Sequence, residues 1–280
     1  MNIATVDYLD PNASQAFTDS LHHTGFGILT NHPIDSKLVD EVYEEWRQFF
    51  NDERRFNYLF EASTQDGYIP PNLSETAKGY KEKDLKEFYH LYAWGRYPDM
   101  LSNKTRLLQQ QLTALAAQLL SWIEQHTPAE ISRKFSMPLS QMIQDSREIL
   151  FRILRYPPFT GQETPGAVRA AAHTDINLIT LLPAATTTGL QVKDNHEHWH
   201  DVQCDHGMLI INVGDMLQEC SEGWYQSTYH QVKNPTGEMA KQARLSMPLF
   251  LHPRSDVRLS QRHTAGSYLK ERLTELGLLS

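Results

Sequence analysis

The chain has 280 residues, with 26 basic and 34 acidic side chains, a formal charge of −8, 13 His and 2 Cys. Its 40% hydrophobic and 21% charged residues are ordinary for a globular protein and exclude a disordered one. Two Cys exclude a disulfide framework and a Cys-rich zinc site, and the acidic balance argues against general nucleic-acid binding, which Lys and Arg drive. Any metal must therefore be held mainly by His, Asp and Glu, which suit a catalytic ion with open positions better than a closed structural zinc. No segment approaches the ~20 apolar residues of a membrane span, and the first residues lack a basic stretch followed by an apolar one. The expectation is a cytoplasmic protein with no nucleic-acid or membrane partner, in which Cys204 and Cys220 are reduced.

Along the chain, residues 13–23 read as a short helix ending near Gly25. Residues 26–30 read as a strand, with Gly27 a point of close backbone approach. Residues 36–50 carry Leu38, Val42, Trp46 and Phe49 at helical spacing. Residues 51–85 are polar and turn-rich, with Gly67, Pro70, Pro71 and Gly79, and are the expected substrate-covering stretch. Residues 105–126 form the clearest helix, with Leu108, Leu112, Leu115, Leu119 and Trp122 on one face.

From Glu148 the pattern changes to short runs rich in Ile, Leu, Val and aromatics, separated by turn residues. They span 148–156, 168–175, 178–182, 189–193, 199–202, 208–213, 227–233 and 243–251, the spacing of a sandwich or barrel. Residues 264–275 look like a closing helix. The expectation is one compact unit over 1–280, mainly β with packed helices: a mainly helical region over 1–145, a β core over 146–253 and a helical segment over 254–280.

The strongest chemical signal is His173-Thr174-Asp175. In a strand, residues i and i+2 share a face, so His173 and Asp175 can reach one ion while Thr174 turns away. His230, in the 227–233 strand, can be brought alongside. Two His and one carboxylate leave three positions of an octahedral ion open, as in non-haem Fe(II) oxygenases. The competing reading is a plain His–Asp hydrogen bond. Arg244-Leu245-Ser246 repeats the i, i+2 logic with a planar guanidinium fork and a hydroxyl, a pair suited to a carboxylate.

Arg152, Leu154 and Tyr156 share one face of the 148–156 strand. Arg152 is a candidate anchor for an anionic group on a small-molecule substrate, against a structural ion pair. Phe250, Tyr68 and Phe88 are weaker pocket candidates, against core packing. His196-Glu197-His198-Trp199-His200 matches the zinc-protease pattern H-E-x-x-H, but that pattern works on a helix. Here the turn signal Asp194-Asn195 and Trp199 predict a strand, with His196 in the turn and His198 and His200 outward.

The ordered set His173-Thr174-Asp175, Gly189-Leu190-Gln191-Val192, Trp199, Asn212-Val213-Gly214-Asp215, Ser227-Thr228-Tyr229-His230 and Arg244-Leu245-Ser246 resembles the core of the isopenicillin N synthase-like Fe(II)/2-oxoglutarate-dependent oxygenases. Gly25-Phe26, Asn31-His32, Phe49-Phe50 and Gly67-Tyr68 resemble landmarks of its N-terminal part, so the likeness covers nearly the whole chain. The resemblance implies a double-stranded β-helix, or jelly roll. It implies Fe(II) on His173, Asp175 and His230, and 2-oxoglutarate held through its distal carboxylate by Arg244 and Ser246 with Tyr156. Dioxygen would be consumed, succinate and carbon dioxide released, and a small molecule hydroxylated or desaturated. Family members often carry Asn where this chain has Leu154, so one polar contact to the co-substrate is missing. Two rival readings stay open: an Fe(II) oxidase of the same fold that does not consume 2-oxoglutarate, and a jelly-roll binding protein without catalysis.

Overall fold

A computed structural model describes residues 1–73 and 83–275. It begins with strand β1 (Thr5–Asp7), helix α1 (Ala13–Thr24), strand β2 (Phe26–Thr30) and helix α2 (Ser36–Asn51). Helix α1 stops at Gly25, whose φ of 73° lies in the left-handed region and whose N–H donates to the Leu21 carbonyl at 2.8 Å. Helix α2 starts on Asp35, whose carboxylate accepts from the Lys37 N–H. As expected, Gly27 is a close approach: a Cβ there would sit 3.0 Å from the Phe17 ring.

The polar, turn-rich 51–85 stretch contains strand β3 (Gly67–Ile69) and short 3₁₀ turns at Glu53–Tyr58 and Pro71–Leu73, and strand β4 (Glu87–Leu91) follows it. Gly79 lies outside the described residues. Strand β4 escapes a periodicity search because both its faces are buried, so polar and apolar residues do not alternate. Its Glu87 is buried by accepting from the Tyr68 hydroxyl at 2.5 Å and from Arg155 Nη1 at 2.7 Å.

Helix α3 (Lys104–His126) follows, then the short helices α4 (Ala129–Ser132) and α5 (Leu139–Met142). The β-rich half comprises β5 (Leu150–Tyr156), β6 (Ala170–His173), β7 (Ile179–Pro183), β8 (Leu190–Lys193), β9 (Trp199–Asp201) and β10 (Leu209–Val213). After helix α6 (Asp215–Cys220) come β11 (His230–Val232), β12 (Arg244–Ser246), β13 (Leu249–Phe250) and the closing helix α7 (Ala265–Glu275). The 243–251 run is two strands rather than one. Pro248, which has no N–H to give a ladder, lies in the break.

The larger sheet runs β1-β2-β10-β7-β13-β5-β4-β3, with β12 also on β5, and the smaller runs β6-β11-β8-β9. All pairings are antiparallel except β1 with β2. Strand alternation sorts the side chains. Leu29, Phe151, Ile153, Leu209, Ile211 and Leu245 face the main core with α1, α2 and α3. Their neighbours face the other sheet. Phe26, Ile28 and Ile210 meet Leu190 and Val192, while Ile69, Phe88, Leu154 and Tyr156 meet Ala170 and Val232. Two facing, mainly antiparallel sheets with helices on one outer face make the jelly-roll architecture, and the candidate site residues lie between the sheets.

Candidate metal centre and anion pocket

His173 closes β6 and His230 opens β11, and the antiparallel register sets them opposite each other. Asp175 lies beyond the end of β6, so strand alternation is not what aims it, contrary to the 168–175 expectation. The turn after β6 does so instead. Asp175 Oδ1 lies 3.9 Å from His173 Nε2 and 3.6 Å from His230 Nε2. The three donor atoms are all within 4.8 Å of one another, close enough to share one ion.

The surroundings orient all three. His173 Nδ1 is 2.8 Å from the Ala171 carbonyl and His230 Nδ1 is 3.1 Å from the Thr228 carbonyl. A carbonyl only accepts, so each Nδ1 carries the proton and each Nε2 keeps its lone pair. Asp175 Oδ2 accepts from Thr180 Oγ1 at 2.5 Å and from Asn212 Nδ2 at 2.8 Å, which turns Oδ1 toward the imidazoles.

The Asn212–Asp215 segment then clamps the turn. Asp215 N–H donates to the Asp175 carbonyl at 2.7 Å and Gly214 N–H to that of Leu178 at 2.9 Å. A Cβ on Gly214 would lie 2.1 Å from the Asn177 carbonyl oxygen, so only glycine fits.

Burial, reinforced by His230, lowers the His173 imidazolium to about 4, so this imidazole is neutral at neutral pH. Burial alone would raise the Asp175 carboxyl. His230, His173 and the bonds from Asn212 and Thr180 outweigh it and hold the group below the usual carboxylate range. A neutral imidazole beside an ionised carboxylate is the protonation state a divalent cation requires of its ligands. The donor set therefore fits Fe(II), with the remaining positions left to non-protein ligands.

Deeper between the sheets, β12 pairs with β5 so that Arg244 lies opposite Tyr156 and Ser246 opposite Leu154. All four are buried. Arg244 Nε donates to the Thr187 carbonyl at 3.0 Å, its Nη1 is buried without a partner, and its guanidinium carbon lies 5.1 Å from the centre of the Tyr156 ring. Leu154 offers this pocket no polar atom.

Arg152 shares the inner face of β5. Its Nε points at His90 Nε2 across 3.0 Å, and its guanidinium lies 4.7 Å from the Phe88 ring centre and 5.5 Å from that of Phe250. The structure thus brings Arg152 and Phe250 together, with Phe88 beside them. Tyr68, in contrast, packs in the main core.

Sequence reasoning missed Asp84 and Lys86. They are paired at 2.9 Å with both side chains 6% exposed, and Asp84 also accepts from the Ala171 N–H of β6 at 3.1 Å. The run around them looks like a solvated charge cluster. Asn212 stood within a quoted motif without a role, and Thr180 went unnoticed because a Thr in an apolar strand resembles any other β former.

The H-E-x-x-H match sits on a hairpin between β8 and β9, not on a helix. Asp194 organises the turn: Oδ1 accepts from the N–H groups of His196 and His198 at 2.8 and 2.9 Å, and Oδ2 holds His200 Nε2 at 2.7 Å. His200 is thus half-buried on Asp194 rather than simply outward. Trp199 is half-buried as well.

Comparison with known proteins bears on this geometry. Residues 148–253 match the 2OG-Fe(II) oxygenase superfamily profile, and residues 5–111 match that of the non-haem dioxygenase in morphine synthesis N-terminal region. The chain is 38% identical over 277 residues to a flavonol synthase/flavanone 3-hydroxylase of Petunia hybrida, covering 91% of this chain and 75% of that one. A Shewanella oneidensis crystal structure, provisionally assigned as an oxygenase, superposes with a TM-score of 0.90 at 50% identity over 100% of both chains. A full-length Neurospora crassa protein, solved in complex with alpha-KG, shares the fold at a TM-score of 0.80 and 23% identity, covering 98% of this chain and 96% of that one.

Proposed function

This chain belongs to the 2OG-Fe(II) oxygenase superfamily, and on that premise we propose which of its residues hold iron, co-substrate and substrate. The protein is an Fe(II)- and 2-oxoglutarate-dependent oxygenase acting on a small molecule. His173, Asp175 and His230 hold the iron. Arg244, Ser246 and Tyr156 receive the distal carboxylate of 2-oxoglutarate. Arg152, with Leu154 and Phe250, lines the substrate side, and its charge selects a substrate with an anionic group.

The observation that carries the ligand set is the division of labour on Asp175. Oδ2 is taken by Thr180 and Asn212, while Oδ1 faces two imidazoles whose Nδ1 protons are already placed.

When bound, iron with 2-oxoglutarate and dioxygen supplies the oxidising chemistry, releasing succinate and carbon dioxide as a substrate C–H bond is hydroxylated or desaturated. The chain supplies position and environment. Asp175 contributes one negative charge to the cation, and its two donors keep the carboxylate from rotating away. The buried Arg244 guanidinium forms charge-assisted hydrogen bonds that water does not weaken. Phe88, Leu154 and Phe250 exclude water from the space where the substrate C–H bond must lie. Arg152, half-buried against the Phe88 and Phe250 rings, is a cation toward which a carboxylate is drawn.

The test is a panel of small carboxylic acids, each paired with its methyl ester, scored by Fe(II)-dependent succinate release. Turnover of an acid but not its ester, and loss of that preference in Arg152→Leu, is the expected result. Equal turnover of acids and esters would remove Arg152 as the anchor. Full iron loading and turnover in His173→Ala would remove the ligand set.

A further inference from the structure

Arg169 immediately precedes β6, and a bulge separates it from His173 at the strand's other end. Arg169 is 2% exposed. Its guanidinium carbon lies 5.9 Å from the centre of the Tyr156 ring, the same ring that Arg244 approaches to 5.1 Å. Its Nη2 donates to the Gln242 carbonyl at 3.1 Å, but its Nε is buried with no partner, as is Arg244 Nη1.

Among the described residues, no carboxylate forms an ion pair with either guanidinium. Burial and the neighbouring charge of Arg244 push the Arg169 guanidinium down to about 10. Two buried like charges with unused donors and no counter-ion are costly on their own, and an anion placed between them removes the cost.

We propose that Arg169 is a second co-substrate-binding residue, which acts with Arg244 on the distal carboxylate of 2-oxoglutarate. The pair supplies donors on the side where Leu154 offers none. A purely structural role, bracing the Gln242 carbonyl through Nη2 and packing the guanidinium on the Tyr156 and Phe159 rings, still leaves the buried Nε without a partner. The assignment rests on the reading of Arg244, Ser246 and Tyr156 as the co-substrate pocket.

The test uses the full chain, loaded with Fe(II) without oxygen. It is titrated with 2-oxoglutarate and, separately, with 2-oxopentanoate, which keeps the keto acid and chain length but lacks the distal carboxylate. Affinities are read from the metal-to-ligand absorption band. In parallel, glutarate is added to metal-free protein and the melting temperature is followed.

Arg169→Gln is expected to weaken 2-oxoglutarate by about tenfold or more, to leave 2-oxopentanoate within about twofold, and to lose the glutarate-induced rise in Tm. Arg169→Lys keeps the charge but not the fork. It is expected to show a selective loss of about three- to tenfold, and it decides the matter where the Gln variant does not fold. Unchanged 2-oxoglutarate affinity in a folded variant, or equal weakening of both keto acids, would overturn the assignment. A wild-type chain that shows no band with 2-oxoglutarate would overturn the pocket reading itself; glutarate stabilisation lost in Arg169→Gln would then still support a two-arginine carboxylate site.

Discussion

Asp175 keeps its aim through two donors on one oxygen, so the strength of the proposed metal site depends on residues outside its ligand set. Asn212→Ala removes one donor and leaves the carboxylate free to turn. Metal affinity is expected to fall by about 10- to 100-fold, with turnover recovered in excess Fe(II). A competition titration against a chelator measures this, and unchanged affinity would show that Thr180 alone suffices. Asn212→Asp is expected to be worse, because it places a second carboxylate beside Asp175. At this scale much was legible in the sequence. The residue types of His173, Asp175, His230, Arg244 and Ser246 announce the chemistry proposed for them. Thr180, Asn212, Lys86 and Arg169 are common types whose roles arise from neighbours distant in the chain.

Among the elements, β5 organises the site. Its outer face buries Phe151 and Ile153 against the helices, and its inner face presents Arg152, Leu154 and Tyr156. The end of α1 is a second control point. A Cβ at Gly25 would lie 2.3 Å from Thr228 Oγ1 and 2.6 Å from the Gln226 carbonyl oxygen, at a φ of +73°. Thr228 also lends its carbonyl to His230 Nδ1. Gly25→Ala is therefore expected to destabilise the fold by more than about 1–2 kcal/mol, the cost of the left-handed backbone alone. It should weaken metal binding as well, because the segment leading into His230 must shift. Urea unfolding and the same chelator titration check both parts; a loss of stability with intact metal affinity would uncouple α1 from the site. Helices α1, α2 and α3 and strand β2 follow their sequence periods closely, since each buries a single stripe or face. Strands β3 and β4 do not show a period, because both faces of β4 are buried.

For the whole molecule, pH dependence follows from buried histidines. Folding holds His173 and His252 near about 4, each mainly through burial. In the unfolded chain they titrate near about 6.5. Between those values the unfolded state binds more protons, so stability is complete above about 6.5 and declines as pH falls toward about 4. Asp66 and Asp175 add a second loss at lower pH. Burial alone would raise the Asp66 carboxyl, but bonds from Thr64 and Arg96 outweigh it, as the partners of Asp175 do there. Their contribution disappears as pH falls through the depressed folded values. Calorimetry on metal-free protein should show Tm falling across the window from about 6.5 to about 4, and a flat Tm there would exclude this account. Saturating divalent cation should raise Tm at neutral pH, since it binds only the folded site.

Likeness to an oxygenase family implied the jelly roll, and the sequence by itself pointed to the candidate metal ligands, the Arg-x-Ser pair and the shared face of Arg152, Leu154 and Tyr156. Those features are local: they depend on residue type and on the period of an extended chain. Tertiary structure alone decided that Asp175 is aimed by a turn rather than a strand. It alone decided that the charged run at Asp84–Glu87 is buried, that the H-E-x-x-H match is a hairpin held by Asp194, and that Arg169 lies beside Arg244 over one tyrosine ring. Each of those depends on which distant segments pack together, and a charged residue in sequence carries no mark of the partner that will allow it to be buried.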